Sequence, residues 1–518
     1  MEIKLRDYQL KFVDDVYKCI ISGQKKILGF APTGAGKTII SSQIVADATA
    51  KKRKVLFVVH RDILVKQTAD KFAKFNLSNL GFIKSGYPED RSAIVQIASL
   101  QTLLKRKWWQ NTHFDLIVFD EAHLTAFAKL SQRMMQEIFP NSIYLGLTAT
   151  PFRLKKDEEM GDIFDVLVSA PYPHELIDRG FLVKPSYYGI DSKDLAKQID
   201  LESIRVVNGE YDKAQIALEV DRPELNQKIV DDWIKMAIGR RTIVFAVSVQ
   251  HSKNIVDSFN SAAIKAAHVD GSTPIKERSL IYRELAKGEI SILSSCMALT
   301  EGFDVPSVEA IVLARPTLSK ALYYQMIGRG LRLSPETDKQ DCLILDPVGN
   351  VSKHGFVEDL NSISLNNSEM AEVGEAPLKT CPSDDGGCDA IVYAFYLRCP
   401  HCGYHFEIRR LSLAIDLKQQ LSVEDEQKLL VYRSKLRSAI KHQYSPGWAV
   451  NWFRERYGHW PPKDWSRGAI FDHQCDSKSI NQYREYLQVV ADRSGKQASW
   501  IEYYLKLEFG RTSALMTA

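Results

Sequence analysis

Short apolar runs alternate with amphipathic stretches of helical length through the first 350 residues. The runs include 27-ILGFA, 55-VLFVV, 94-IVQIA, 115-DLIVF and 143-IYLGL, then 242-TIVFA, 266-AAHVD, 291-SILSS, 310-AIVLA and 342-CLIL. Continuous β-branched runs of this length predict strands buried on both faces, which means parallel sheet in α/β layers. The pattern pauses between about Arg153 and Ile238, where charged, Pro-containing sequence intervenes. It therefore predicts two α/β lobes, 1–170 and 225–350, with a connecting segment at 171–224. After Val351 the apolar runs stop, and the polar, acidic stretch 351–378 reads as a linker. A cysteine-rich stretch at 379–410 follows, and 411–518 is charged, tryptophan-rich and helical in pattern.

That tail contains a repeat. SPGWAVNWFRERYG ends at Gly458 and QASWIEYYLKLEFG at Gly510, so Trp448, Phe453 and Tyr457 match Trp500, Leu505 and Phe509. Each unit follows another helical pattern, QKLLVYRSKLRSAIKH and INQYREYLQVVADRSG, which predicts an all-α tail of two helical hairpins. One face of each aromatic helix must serve as the hairpin core. Trp452, Tyr503, Arg454, Arg456 and Lys506 fall at or beyond its border, where aromatic rings beside cations suit stacking on bases and holding phosphates. Two small packed cores bracing the preceding lobes are the competing reading.

Composition sets bounds around this pattern. The chain has 518 residues, 45% hydrophobic and 25% charged, which excludes a disordered or fibrous protein and suits about three domains. A net charge of +4 neither demands nor excludes nucleic acid. MEIKLRDYQL places charges where a signal peptide needs an apolar run, and no stretch reaches the roughly 18 apolar residues that span a bilayer. Of the cysteines, Cys381, Cys388, Cys399 and Cys402 crowd together while Cys19, Cys296, Cys342 and Cys475 are scattered. That is the pattern of one metal site in a reducing compartment, so the expectation is a cytoplasmic protein with no membrane partner.

Candidate chemistry begins at APTGAGKT, residues 31–38, between a predicted strand and the helical IISSQIVADA. Gly34 and Gly36 let backbone N–H groups turn inward around a phosphate, and the following helix directs its positive end at the same anion. Lys37 would reach the β- and γ-phosphates and Thr38 would place a hydroxyl on Mg²⁺. The run 115-DLIVF then delivers Asp120 and Glu121 of an Asp-Glu-Ala-His sequence to a strand end. Asp120 suits the metal, and Glu121 suits orienting and deprotonating a water. A later run ends in Thr148-Ala149-Thr150.

In that order, APTGAGKT, DEAH and TAT resemble the motifs of superfamily 2 helicases and translocases. The resemblance covers about residues 1–350 and implies two RecA-like lobes with ATP between them. LRDYQ resembles the adenine-recognition segment, which implies that Arg6 and Gln9 bind nucleotide, Gln9 reading the base edge. Pro32, Thr33, Gly34, Ala35, Gly36, Lys37 and Thr38 would form the phosphate-binding loop. VVHRDILVKQ and IASLQTL resemble strand-contacting segments, which places His60, Arg61, Gln67 and Ser99 beside nucleic acid. His123, Thr148 and Thr150 would couple the two ligands. FAVSVQHS contains a second-lobe contact segment, and TEGFDVP resembles the motif touching ATP through Gly302 and Asp304 and nucleic acid through Thr300. QMIGRGLR resembles the arginine-finger motif. There Gln325, Arg329 and Arg332, at spacings of four and three, are expected on one helix face. Two arginines presented to a phosphate on the other lobe neutralise transition-state charge only when the lobes close.

The cysteine spacing is Cys381-x6-Cys388-x10-Cys399-x2-Cys402, and RCPHCGYHF is a tight knuckle turn. Four thiolates suit a closed, structural Zn²⁺ site, a zinc ribbon. The wide first pair leaves His401 or His405 as alternatives to Cys381, and a redox role for Cys399-Pro-His-Cys402 is the weaker competitor. The order of motor, ribbon and helical tail resembles the RadD-like branch of the superfamily. That implies a DNA helicase or translocase in repair and recombination, acting on single-stranded or branched DNA, with contact to single-strand-binding protein. Three other readings compete: the motor of a restriction or phage-defence system, although no P-D…(D/E)-x-K nuclease pattern is present; an RNA helicase; and a zinc-dependent nucleic-acid-binding scaffold.

Overall fold

A computed structural model describes residues 4–509 except 61, 88, 127, 151–158, 190–198, 202, 208, 297–304, 367–377, 395, 407–422, 442–443, 468 and 471–476. The chain divides into two compact units, Met1–Val373 with Asp389–Ile391, and Gly374–Cys388 with Val392–Ala518.

The first unit holds both predicted lobes. In the first, β1 (Lys26–Phe30), β2 (Val55–Val59), β3 (Leu80–Ile83), β4 (Val95–Ser99), β5 (Leu116–Asp120), β6 (Ile143–Thr148) and β7 (Val166–Ser169) form one sheet in the order β3-β4-β2-β5-β6-β1-β7. Every pairing is parallel. α1 (Asp7–Ile21), α2 (Lys37–Ala50), α3 (Asp62–Ala73), α4 (Leu100–Lys105), α5 (Ala122–Thr125), α6 (Lys129–Arg133) and α7 (Pro173–Asp178) complete this lobe. The apolar faces of the inner strands close over a core that includes Leu56, Val58, Ile117, Phe119, Phe114 and Trp109. Because β5, β6 and β1 are sheet neighbours, their C-terminal ends bring together loops that are far apart in sequence. Such an edge is where open parallel sheets bind ligands.

β8 (Lys184–Gly189), a two-residue hairpin of β9 (Val206–Val207) and β10 (Glu210–Tyr211), and helices α8 (Lys213–Val220) and α9 (Pro223–Met236) come next. The second sheet contains β11 (Thr242–Phe245), β12 (Ala266–His268), β13 (Ile292–Ser295), β14 (Ala310–Val312) and β15 (Asp341–Asp346), in the order β12-β13-β11-β14-β15-β8. α10 (Val249–Ser261), α11 (Ile275–Lys287), α12 (Lys320–Gly328) and α13 (Asn350–His354) accompany it. Two readings of the pattern change here. The segment 171–224, expected to connect the lobes, supplies β8, which pairs in parallel with β15 from Lys184↔Asp341 to Gly189↔Asp346. The start of the expected linker is also packed. Phe356 stacks on Tyr187 at 4.5 Å, Val357 and Leu360 are buried, and Leu365 packs on the first-lobe core. Polar composition hid these few apolar anchors.

In the second unit, β16 (Leu378–Thr380) and β17 (Ile391–Tyr393) form a two-stranded sheet at the cysteine cluster. α14 (Val423–Lys441) with α15 (Pro446–Tyr457), and α16 (Ser477–Ser494) with α17 (Ala498–Phe509), are the two repeated hairpins. Their cores correspond residue by residue. Leu429, Tyr432, Leu436 and Phe453 fill the first, where Ile480, Tyr483, Leu487 and Leu505 fill the second. Tyr503 is 46% exposed, as its border position predicts. Trp452 differs: it packs against the first core, with the Lys435 ammonium 4.7 Å above its ring.

Candidate active site between the lobes

The phosphate-binding loop lies between β1 and α2. Gly34 and Gly36 have φ of +93° and +85°, a left-handed conformation that side chains resist. Crowding adds a second reason: a Cβ on Gly36 would stand 2.5 Å from Gln9 Nε2, and one on Gly34 2.7 Å from Leu182 Cδ2. Gln9 Nε2 donates to the Ala35 carbonyl at 3.0 Å, Tyr8 Oη donates to the same oxygen at 2.8 Å, and Gln9 Oε1 accepts from the Arg6 amide. Gln9 thus grips the loop from behind. Beside it the guanidinium groups of Arg6 and Arg179 lie 4.7 and 5.0 Å from the centre of the Phe181 ring, which packs on Tyr8. Arg179 and Phe181 were not foreseen. Pro32 and Thr33 line a small cavity between the lobes together with Tyr324 and Gly328.

Asp120 ends β5, and Glu121 follows in the left-handed region at φ +48°, opening α5. A non-glycine residue there costs on the order of 1–3 kcal/mol and persists only where its surroundings hold it. Here Lys37 Nζ contacts Glu121 Oε1 at 2.8 Å. Burial pushes the Glu121 carboxyl upward, but Lys37, His123 and Arg329 outweigh it and hold the group below its ordinary range. Asp120 goes the other way. Burial and the adjacent Glu121 charge raise it, with Lys37 and Lys71 opposing. Glu121 Oε2 is buried and accepts no hydrogen bond among the described residues. Lys71 Nζ, also unforeseen, reaches Thr38 Oγ1 at 3.4 Å. Its charge also acts on Asp120, favouring the ionised carboxylate.

Behind the acids runs a buried relay. His123 Nδ1 meets Thr148 Oγ1 at 2.9 Å and lies 3.5 Å from Glu121 Oε2. Thr148 Oγ1 gives its only proton to the Thr150 carbonyl and accepts from the Thr150 amide. The proton between His123 and Thr148 therefore sits on His123 Nδ1. This chain links the end of β5 to the end of β6.

From the second lobe, α12 begins at a Ser319 cap that accepts from the Leu322 amide and points its C-terminal end at the phosphate loop. A Cβ on Gly328 would stand 2.3 Å from Thr33 Cβ, so the glycine is what allows the lobes to touch. Gln325 lies half-buried on α12, and Arg329 follows its last turn, near enough for its charge to act on Glu121. Arg332 is not on the helix. The chain leaves the helix after Gly328, and a Cβ on Gly330 would meet Cys342 Sγ at 2.4 Å, so the backbone lies directly on β15. Arg332 instead forms a bridge with Leu182, and its Cγ lies 3.7 Å from where a Gly34 Cβ would be. The shared helix face fails, yet both arginines still reach the cleft.

His60 and Ser99 stand at the ends of β2 and β4, and Gln67 is half-buried on α3. Ser99 is fully buried, and its hydroxyl caps α4 by accepting from the Thr102 amide, so it shapes the backbone there and does not face a strand. Arg61, Thr300, Gly302 and Asp304 lie outside the described residues. In the second unit the sulfurs of Cys381, Cys388, Cys399 and Cys402 all lie within 4.8 Å of one another. Cys381–Cys402 and Cys388–Cys399 are each 3.7 Å apart. Tetrahedral Zn²⁺ with bonds of about 2.3 Å spaces its sulfurs by about 3.8 Å, so the cluster fits that ion, with Cys381 as the fourth thiol.

Comparison with known proteins gives the same two lobes. The family model described as type III restriction enzyme, res subunit, matches residues 2–153, and that for the helicase conserved C-terminal domain matches 225–334. A 51.5 kDa protein of Lactococcus phage (isolate 7-9) is 27% identical over 88% of this chain and 98% of its own length. The putative ATP-dependent helicase IRC3 of Saccharomyces cerevisiae is 29% identical over 67% of this chain, which spans about half (51%) of the yeast protein. A fragment structure of a putative HsdR subunit of a type I restriction enzyme from Vibrio vulnificus YJ016 shares the fold, with a TM-score of 0.53 at 23% identity over 68% of this chain and 65% of that one.

Proposed function

The chain belongs to the superfamily 2 helicases and translocases, and from that premise we propose that it is a DNA-stimulated ATPase that moves along or unwinds DNA. The observation that carries the reading is the meeting of Lys37, Glu121 and Arg329 from two lobes in one cleft. Lys37 and the loop amides would bind the phosphates of ATP, and Glu121 Oε2 would accept a proton from the attacking water. Thr38 and Asp120 would hold Mg²⁺, which when bound offsets phosphate charge. Arg329 and Arg332 would add the charge that only the closed form supplies. Zinc held by Cys381, Cys388, Cys399 and Cys402 would shape the ribbon.

By its likeness to RadD-like proteins the setting is repair and recombination, with single-strand-binding protein as a partner and the two-hairpin tail engaging the same DNA. The match to the restriction res family favours a second reading about equally: a motor subunit of a restriction or defence system, whose cleavage activity resides in another chain. The test is steady-state ATP turnover of the full chain with no nucleic acid, single-stranded DNA, duplex, forked DNA and RNA. Acceleration by DNA of at least tenfold is expected. Acceleration by RNA alone sinks the DNA reading. Turnover only after a partner subunit is added favours the restriction reading. DNA binding with no turnover leaves the scaffold.

A further inference from the structure

Lys339 takes no part in the chemistry above, yet it is only 7% exposed. Its ammonium donates to three main-chain oxygens: Gly330 at 2.5 Å, Arg332 at 3.0 Å and Pro306 at 3.3 Å. Those bonds use all three of its protons. No carboxylate forms a direct ion pair with it among the described residues; the charges of Glu309 and Asp341 favour the ammonium from a distance, and the carbonyl dipoles are its direct partners. Removing a charge from water this way is costly unless every donor is satisfied. Lysine thus stands at a position where an apolar side chain would fill space more cheaply.

The three carbonyls belong to two segments. Pro306 closes the TEGFDVP stretch, and Gly330 and Arg332 belong to the turn after α12. The other edge of that turn is held by the Leu331 carbonyl, which accepts from the Val183 amide at 2.9 Å, and by the Leu182 bridge. Arg332 is therefore fixed at its root from two sides, and its long side chain projects over Gly34. A displacement of the root carries straight through to the guanidinium.

We infer that Lys339 is a positioning residue for Arg332, tying the arginine-bearing turn to the end of the TEGFDVP segment so that the guanidinium meets the phosphate loop in register. The inference rests on the ATPase reading and deepens it. Misplacing a transition-state contact by about 1 Å costs on the order of a hundredfold. Lys339→Met in the full chain is expected to lower kcat by roughly tenfold to a hundredfold. KM and the affinity for a fluorescent ADP analogue should stay within about twofold, because loop and base contacts remain. The decisive comparison is a double-mutant cycle: Lys339→Met with Arg332→Ala should be no slower than Arg332→Ala alone. Lys339→Gln, which restores two donors, should recover part of kcat. Effects that multiply in the double variant, wild-type kcat in Lys339→Met, or failure of both Lys339 variants to fold would each overturn the inference and leave the lysine a purely structural group. A wild-type chain that does not hydrolyse ATP, or an Arg332→Ala variant matching wild type, instead refutes the reading beneath it.

Discussion

Replacing Glu121 by Gln keeps the side chain's shape and removes one negative charge from the cleft. That charge does two things: it pairs with Lys37 at 2.8 Å, and it provides in Oε2 an oxygen that accepts no hydrogen bond among the described residues. The gross attraction of such a pair at an effective dielectric near 20 is ~6 kcal/mol, most of it cancelled by desolvation. Releasing Lys37 should therefore not weaken nucleotide binding and should tighten it by up to about tenfold. Glutamine cannot act as a base, and loss of a general base typically costs 10²- to 10⁴-fold, or about 3–5 kcal/mol in barrier height. Single-turnover hydrolysis on saturating DNA, with titration of a fluorescent ADP analogue alongside, separates the two effects. A Gln variant that keeps more than about a tenth of the wild-type rate, or loses affinity together with rate, would refute the assignment of Glu121 as base.

Burial and the Glu121 charge push Asp120 up to about 6, so its ionisation opposes folding; this contribution to stability is fully present below about 4 and is lost as pH rises through about 6. Asp120→Asn should raise the melting temperature by a few degrees at pH 7.5 and by less at pH 4.5, while abolishing Mg²⁺-dependent turnover; scanning fluorimetry at the two pH values checks the sign. Gly328→Ala drives a methyl group to 2.3 Å from Thr33 Cβ and should slow hydrolysis at least tenfold with nucleotide still bound. An unchanged rate would mean that hydrolysis does not require this lobe contact. Elemental analysis should find one zinc per chain, lost in Cys399→Ser with DNA-free ATPase retained; protein that carries no zinc as purified contradicts the ribbon assignment.

The strands the sequence revealed and those it concealed differ in a physical way. Inner strands such as β2 and β5 are covered on both faces and read as unbroken apolar runs. In the two large sheets the strands missed by that pattern, β3, β7 and β8, are all edges, although the remaining edge, β12, was read. Edge strands need less apolar coverage, and β8 even carries Pro185, whose missing N–H an edge tolerates. The site divides similarly. Lys37, Thr38, Asp120 and Glu121 were legible because each sits in a short motif at a strand end. Lys71, Arg179, Phe181 and Lys339 earn their places through contacts with distant segments that no local spacing records. Arg332 was expected on a helix face shared with Gln325 and Arg329; it stands instead on the turn after α12, because helical spacing cannot foresee that Gly330 must lie flat against Cys342.

The parentage of β8 has a consequence for modularity. This strand leaves the ribosome before any other strand of the second sheet, yet its partner β15 is the last of them to arrive. The second sheet is thus closed by a piece of chain belonging, in sequence, to the far side of the first lobe's exit. Neither lobe is a cassette that can be excised at the midpoint: a cut near residue 225 strips the cover from β15 and bares a row of unpaired backbone groups, a ready template for aggregation. The same chain passes Leu182 and Val183 along the arginine-bearing turn just before it enters the sheet. The chain that braces the arginine-bearing turn and the chain that seals the sheet edge are thus one continuous segment.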